Sequence, residues 1–117
     1  MTSLPVEIET DAIDVQLVAS ARGCSVTVHG EVDSTTAPGL RDCLLEALSR
    51  PGATSVEVDL SRVTFLDSAG LSALAVAHRA AAATGRELRV RCGTARAVVR
   101  PLQITGLWDL FTVVQDR

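Results

Sequence analysis

Residues 63–71, Val-Thr-Phe-Leu-Asp-Ser-Ala-Gly-Leu, mark the point at which the chain changes from a strand pattern to a helix pattern. An apolar run ends at Asp67 and Ser68, and a long Ala-rich segment follows. Asp is a favoured N-cap because its side-chain oxygen accepts an unpaired N–H group of the first helical turn. We therefore predict that Asp67 caps a helix and that Ser68 begins it. The Ser68 hydroxyl should then lie near the surface, with the positive end of the helix dipole beneath it.

The composition is that of one globular domain. Of the 117 residues, 47% are hydrophobic and 21% are charged, which provides enough apolar surface for a buried core. The net charge of −3 disfavours a nucleic-acid partner held by phosphate contacts. Two Phe and one Trp are too few aromatic residues for a base-stacking platform.

The sequence carries no sign of export or of membrane insertion. Its apolar runs are interrupted well before the roughly 20 residues that a membrane span needs. The first 12 residues carry three acidic side chains and too short an apolar run for a signal peptide. The cysteines are odd in number and form no CxxC pair, which favours structural thiols in a reducing compartment. We therefore expect a cytoplasmic protein.

The first half of the chain predicts two strands and a helix. Apolar and polar side chains alternate over 13–19 and again over 24–28, which predicts an antiparallel hairpin. A loop is predicted over 30–36, and Thr36 is the predicted N-cap of the helix that follows. That helix should end at Pro51, because Pro cannot continue it.

The second half alternates strands and helices. Strands are predicted over 56–60 and 87–92 and, more briefly, over 110–114. Thr94 is the predicted cap of the last helix, which Pro101 should kink or shorten because it lacks an N–H group. The helix after the Asp-Ser junction is predicted to turn five residues inward: Leu71, Leu74, Ala75, His78 and Ala82.

This order of elements predicts an α/β fold in a single domain. Strand–helix–strand units require right-handed parallel crossovers, and the opening hairpin adds an antiparallel strand. We therefore expect a mixed β-sheet of about four to five strands flanked by helices. The domain should span residues 13–117, and residues 1–12 form a polar lead-in whose order the sequence leaves open.

The motifs of catalytic and nucleotide-binding sites are missing from the sequence. Ser68 has no GxSxG elbow around it, and neither GxxxxGK[ST] nor GxGxxG occurs. A receiver-type phosphorylated Asp67 would need further acidic ligands and a Lys, whereas the chain has no Lys. His29 lies on the polar side of its strand without a partner at metal-ligand spacing. We therefore predict no enzyme activity, no metal and no cofactor.

Two roles for the Asp67–Ser68 pair remain open on the residues alone. In the first, both residues only cap a helix, which is the commoner case in proteins. In the second, Ser68 is phosphorylated, which adds about −1.5 to −2 charges that the helix dipole partly stabilises. The surface would become still more acidic through Asp67 and, if its loop is a neighbour, Asp33. A partner would then dissociate without the protein unfolding.

Four blocks of the sequence occur in a distinctive order. They are Gly30-Glu31-Val32-Asp33, Asp59-Leu60-Ser61, Phe65-Leu66-Asp67-Ser68-Ala69-Gly70-Leu71 and Gly106-Leu107. In order and spacing they resemble the STAS family, in particular the small bacterial anti-sigma factor antagonists. The resemblance covers about residues 13–115, and Asp-Ser-x-Gly-Leu is its most specific element. It implies a mixed β-sheet flanked by helices.

The resemblance also implies a function. An unphosphorylated protein of this kind binds a cognate anti-sigma factor, usually a serine kinase of the GHKL ATPase type, and so releases a sigma factor. The kinase phosphorylates the Ser that matches Ser68, which abolishes binding, and a PP2C-type phosphatase restores it. The alternative is a STAS subunit that is never phosphorylated, in a lipid-transport ATPase complex or a signalling scaffold.

The resemblance assigns roles to individual residues. Ser68 is the implied phosphoacceptor and Asp67 the adjacent docking carboxylate. Ala69 stands where relatives often carry Ser or Thr, which leaves Ser68 as the candidate acceptor. The implied partner-binding residues are Asp33, Ser34, Thr35, Thr36, Asp67, Ser68, Ala69, Gly70, Leu71 and Ser72. No direct contact with nucleic acid or membrane is expected.

Overall fold

One mixed sheet of six strands organises the part of the protein that the structure describes. The computed structural model describes residues 6–9, 13–20 and 23–114. The strands lie side by side in their order along the chain. They are β1 (Val6–Glu9), β2 (Ile13–Ser20), β3 (Gly23–Val32), β4 (Ser55–Leu66), β5 (Glu87–Arg91) and β6 (Thr112–Val114). The first three strands pair antiparallel, and β3 to β6 pair parallel.

Helices connect the parallel strands, as the alternating pattern predicted. They are α1 (Ala37–Ser49), α2 (Ser68–Ala83), α3 (Arg96–Ile104) and α4 (Leu107–Leu110). α1 and α2 pack against each other, and α3 packs against β4. The largest fully buried side chains come from both strands and helices: Leu17, Leu40, Leu44, Leu60, Leu74 and Leu102. The predicted α/β class and the opening antiparallel hairpin are confirmed, and the described sheet has six strands rather than four or five.

Four strands depart from the predicted bounds. β6 begins at Thr112 rather than at residue 110, because Leu110 ends α4. β1 lies inside the stretch 1–12 that the sequence analysis treated as a lead-in, and its four residues are too few for an alternating pattern to stand out. β3 continues to Val32, through residues that we predicted to be a loop, and β4 continues to Leu66. These two extensions pair with each other through register shifts. Such shifts break the alternation of buried and exposed residues, which hides the strand in the sequence.

Of the two predicted helix caps, Thr36 is confirmed as the N-cap residue of α1, whereas the predicted Thr94 cap is wrong. The Thr36 hydroxyl makes no cap hydrogen bond to α1. Instead it accepts the N–H of Asp33 at 2.9 Å and donates to the carbonyl oxygen of Glu31 at 2.9 Å, so it fastens the loop to the end of β3. α3 begins after Ala95 rather than Thr94, without a side-chain cap. A hydroxyl side chain near a helix start can form hydrogen bonds with any of several nearby backbone groups, so the residue type alone does not determine its partner.

The buried face of α2 is also rotated from the predicted one. Ala75 and His78 are only partly buried, and Ala82 is exposed. The buried residues are Gly70, Leu71, Ala73, Leu74, Ala77 and Ala81. Because Ala occupies both sides of the helix, the two faces differ little in hydrophobicity, and the sequence pattern does not determine which residues face the core.

Candidate functional site

The start of α2 has the geometry that the Asp-Ser pair predicted. Asp67 is the N-cap, and its Oδ1 accepts the N–H groups of Ala69 at 2.9 Å and Gly70 at 3.2 Å. Ser68 is the first helical residue and its side chain is exposed. The carboxylate thus satisfies two donors of the first turn, while the Ser68 hydroxyl stays accessible to solvent.

The carboxyl ends of β3 and β4 bring a second acidic loop beside the first. Val32 pairs with Leu66 at the end of the two parallel strands, so Asp33 and Asp67 follow at the same edge of the sheet. The Asp67 N–H donates to the carbonyl oxygen of Val32 at 3.1 Å. Asp33 turns into its own loop, where its Oδ1 accepts the N–H of Thr35 at 2.9 Å. The loops that carry Asp33 and Asp67 are therefore neighbours, a point that the sequence alone left open.

Gly70 allows α2 to approach the sheet closely at this point. A Cβ atom on Gly70 would lie 2.5 Å from Leu66 Cδ1 and 2.7 Å from Val32 Cγ1. Both distances are well inside carbon–carbon contact distance. Gly70 is buried, so its place in the Asp-Ser-x-Gly-Leu element has a packing reason that is independent of any partner.

The ten residues implied as partner-binding lie together around this edge but differ in exposure. Ser34, Thr35, Ser68 and Ser72 are exposed. Asp33, Asp67 and Ala69 are partly buried, whereas Thr36, Gly70 and Leu71 are buried. The accessible part of the candidate site therefore consists of the loop before α1, the Asp67–Ser68 junction and the next turn of α2, which carries Ser72.

Two grooves flank the first turns of α2. The α1–α2 groove has a volume of about 220 Å³ and is lined by Ser34, Ala37, Pro38, Arg41, Ala69, Ser72, Ala73 and Val76. The α2–α3 groove has a volume of about 530 Å³ and is lined by Phe65, Leu66, Asp67, Ser68, Leu71, Arg96, Ala97, Arg100, Pro101, Ile104 and Thr105. Ser68 lies at the wall of the larger groove.

The contribution of α3 and of the end of β4 to the site was not predicted from the sequence. Phe65 is 47% exposed and Ile104 is 71% exposed, and both line the α2–α3 groove with Arg96 and Arg100. Residues 96, 100 and 104 recur every four positions, the spacing of one helix face, so the stripe was visible in the sequence. Its position beside Ser68 was not visible, because it depends on how the chain crosses over through β5.

Comparison with known proteins identifies the family. A family model described as "Mlab, STAS domain" matches residues 15–114, which is most of the chain. The chain belongs to the STAS-domain family. This confirms the family that the four sequence blocks resembled.

Named relatives of this STAS domain share most of its length. An "Anti-sigma-B factor antagonist" of Listeria monocytogenes is 30% identical over 107 residues, which cover 92% of this chain and 82% of the relative. The crystal structure of an anti-sigma factor antagonist from Mycobacterium paratuberculosis has a TM-score of 0.74 and 30% identity, covering 90% of this chain and 87% of that one. The Bacillus cell fate determinant SpoIIAA in its phosphorylated form has a TM-score of 0.66 and covers 88% of this chain and 91% of that one. At 19% identity it shows the shared fold alone.

The thiols and the partly buried imidazole of this STAS domain lie in its packed interior. Cys24, Cys43 and Cys92 are buried, and burial raises the pKa of Cys43 and Cys92 to about 11. His78 packs edge-on against Phe111, with 5.6 Å between ring centroids. Among the described residues no group of three or more His, Cys, Asp or Glu is placed to hold a metal ion. The described helices also include none with the length and apolar character needed to cross a membrane.

Proposed function

We propose that this protein is a cytoplasmic anti-sigma factor antagonist and not an enzyme. In its unphosphorylated form it binds a cognate anti-sigma factor and thereby frees a sigma factor. The names of the Listeria relative and of the mycobacterial structure support this function, since each is 30% identical to the chain over most of both lengths. The observation that carries the proposal is the exposed hydroxyl of Ser68 at the first position of α2, beside the capping carboxylate of Asp67.

The partner docks across the start of α2. The α2–α3 groove presents an exposed aromatic side chain, Phe65, and an exposed aliphatic one, Ile104, on opposite elements. Exposed apolar side chains gathered around one groove are typical of a protein interaction site, in which the apolar centre is surrounded by polar residues. The exposed hydroxyls of Ser34 and Ser72, on the other side of α2, supply part of that polar rim.

Phosphorylation of Ser68 switches this docking off. The anti-sigma partner, a serine kinase of the GHKL type, transfers the γ-phosphoryl group of ATP to the Ser68 oxygen. An O–P bond forms, the bond to ADP breaks and the hydroxyl proton is released. About −1.5 to −2 charges are thereby added next to Asp67, at a surface position that core packing does not use. Binding is lost while the fold persists, and a PP2C-type phosphatase hydrolyses the ester to restore binding.

A kinase assay with intact-protein mass measurement tests this proposal. The protein is incubated with its cognate anti-sigma kinase and Mg-ATP, and binding to the same kinase is measured before and after the reaction. We expect a mass gain of one phosphoryl group together with loss of binding. Ser68→Ala should gain no mass and should bind throughout. Ser49→Ala is the matched control, because Ser49 is also an exposed helical serine but lies at the end of α1, outside the candidate site, and it should behave as the wild type.

The opposite outcome supports the alternative function. A wild-type protein that neither gains phosphate nor binds an anti-sigma kinase would fit the unphosphorylated STAS subunit of a transport complex or signalling scaffold. Phosphate that still appears on Ser68→Ala would show that another side chain is the acceptor.

A further inference from the structure

The N–H groups of the three residues that follow Ser68 are already engaged before any phosphorylation. The N–H groups of Ala69 and Gly70 donate to the Asp67 carboxylate, and that of Leu71 donates to the Asp67 carbonyl oxygen at 3.0 Å. A phosphoryl group on Ser68 would therefore meet a helix start whose second, third and fourth residues have no N–H group to spare. It would also lie next to the negative charge of Asp67. The helix dipole alone offers it modest stabilisation, so a stronger partner within the protein has to be a side-chain cation.

Two such cations face the same groove from α3. Arg96 and Arg100 line the α2–α3 groove together with Ser68, and both are exposed. They lie four residues apart, so their side chains share one face of the helix. Within the described part of the chain neither guanidinium forms an ion pair, since the ion pairs found there belong to other arginines. The unmodified groove therefore holds two positive charges on α3 and one negative charge at Asp67.

We propose that Arg96 and Arg100 bind the phosphoryl group of phosphorylated Ser68 within the same molecule. This inference rests on the proposed phosphorylation of Ser68 and adds the residues that receive its product. A phosphoserine offers three acceptor oxygens and nearly two negative charges, and the planar guanidinium fork matches that geometry with paired N–H donors. The pairing would draw α3 side chains over the start of α2 and offset most of the added negative charge. The modification would thus alter the docking surface beyond Ser68 itself.

The second ionisation of the phosphoserine reports this pairing directly. Phosphoserine is incorporated at position 68 during translation, without a kinase, and its phosphorus NMR shift is followed against pH. Cations that bind the dianion lower its second pKa. We expect the Arg96→Gln, Arg100→Gln double variant to raise that pKa by roughly 0.5 to 1 unit relative to the unsubstituted phosphoprotein. Arg79→Gln is the matched control, because Arg79 is exposed on α2 but does not line the groove, and it should leave the pKa unchanged.

Lysine variants separate bidentate binding from charge alone. Arg96→Lys, Arg100→Lys keeps both charges but loses the fork, so its phosphoserine pKa should lie between those of the unsubstituted and the Gln-substituted phosphoproteins. Equal pKa values in the unsubstituted and doubly Gln-substituted phosphoproteins would overturn the inference. That result would leave the proposed function intact, because the measurement involves neither kinase nor partner. Failure of the kinase assay, in turn, would leave this titration unaffected.

Discussion

Gly70→Ala should destabilise the protein even though Ala is the better helix former. The new Cβ would lie 2.5 Å from Leu66 Cδ1 and 2.7 Å from Val32 Cγ1. These separations are about 1 Å shorter than the optimal carbon–carbon distance of roughly 3.5–4.0 Å. Overpacking of this kind costs about 1–3 kcal/mol, whereas the gain in helix propensity is at most about 1 kcal/mol. We therefore expect the free energy of unfolding to fall by about 1 kcal/mol.

A double-mutant cycle with Val32→Ala ties this loss to one contact. Val32 is fully buried, so Val32→Ala alone should cost about 1.5–3 kcal/mol through lost burial. In the double variant the methyl group added at position 70 enters the space that Val32 vacates, so the combined cost should be smaller than the sum by about 0.5–2 kcal/mol. Urea unfolding followed by circular dichroism measures all four proteins. Ser72→Ala, at an exposed position one turn along α2, should stay within about 0.5 kcal/mol of the wild type.

Two results would refute this reasoning. If Gly70→Ala were as stable as the wild type, the close approach of α2 to the sheet would not require Gly. If the two costs simply added, the clash would lie somewhere other than at Val32. A variant with normal stability but weakened anti-sigma binding would return Gly70 to the role of a partner contact, which the sequence resemblance implied.

Three further predictions concern the cap and the thiols. Asp67→Ala removes the acceptor of two N–H groups and should lower the free energy of unfolding by about 1 kcal/mol. Asp67→Asn should recover part of that loss. Equal stability of the wild type and both variants in urea would exclude a capping role. Because Cys24, Cys43 and Cys92 are buried and their pKa values are raised, a disulfide reagent at pH 8 should modify them far more slowly in the native protein than in urea. The folded protein also retains thiol protons that the unfolded chain releases above about pH 9. The free energy of unfolding should therefore be unaffected below pH 9 and should fall as the pH rises towards 11. Constant stability over that range would contradict the raised pKa values.

The elements that the sequence predicted well are those with complete local signals. Asp67 precedes an Ala-rich helix directly, and the cap and helix start are found where expected. The alternation of strands and helices likewise predicts parallel crossovers. The predictions were wrong where a local pattern is ambiguous or interrupted. Thr94 precedes α3, but Ala95 takes the N-cap position, and the register shifts between β3 and β4 break the alternation that marks a strand.

In the candidate site, too, the features set by local sequence were predicted and those set by distant contacts were not. The exposure of Ser68 followed from its position in the first helical turn, which is a local property. The groove beside it requires Phe65 from β4 and Arg100 and Ile104 from α3, which are about 35 to 39 positions apart in the chain. No pattern within one segment predicts that these side chains meet, because the sheet order and the crossover direction decide it. The part of the site that lies within one segment is therefore predictable from the sequence, whereas the groove, which joins distant segments, is not.

The position of Ser68 also separates the proposed switch from the contacts that stabilise the fold. The contacts that fix α2 to the sheet lie inside, at Gly70 against Leu66 and at the buried Leu74, whereas the Ser68 side chain is exposed at the first residue of the helix. Charge added at Ser68 therefore meets the end of a helix dipole and open groove rather than packed atoms. A substitution such as Ser68→Glu should weaken partner binding with little change in melting temperature, while Gly70→Ala should lower the melting temperature. A large loss of stability in Ser68→Glu would show that this separation does not hold and that the Asp-Ser pair is only a helix start.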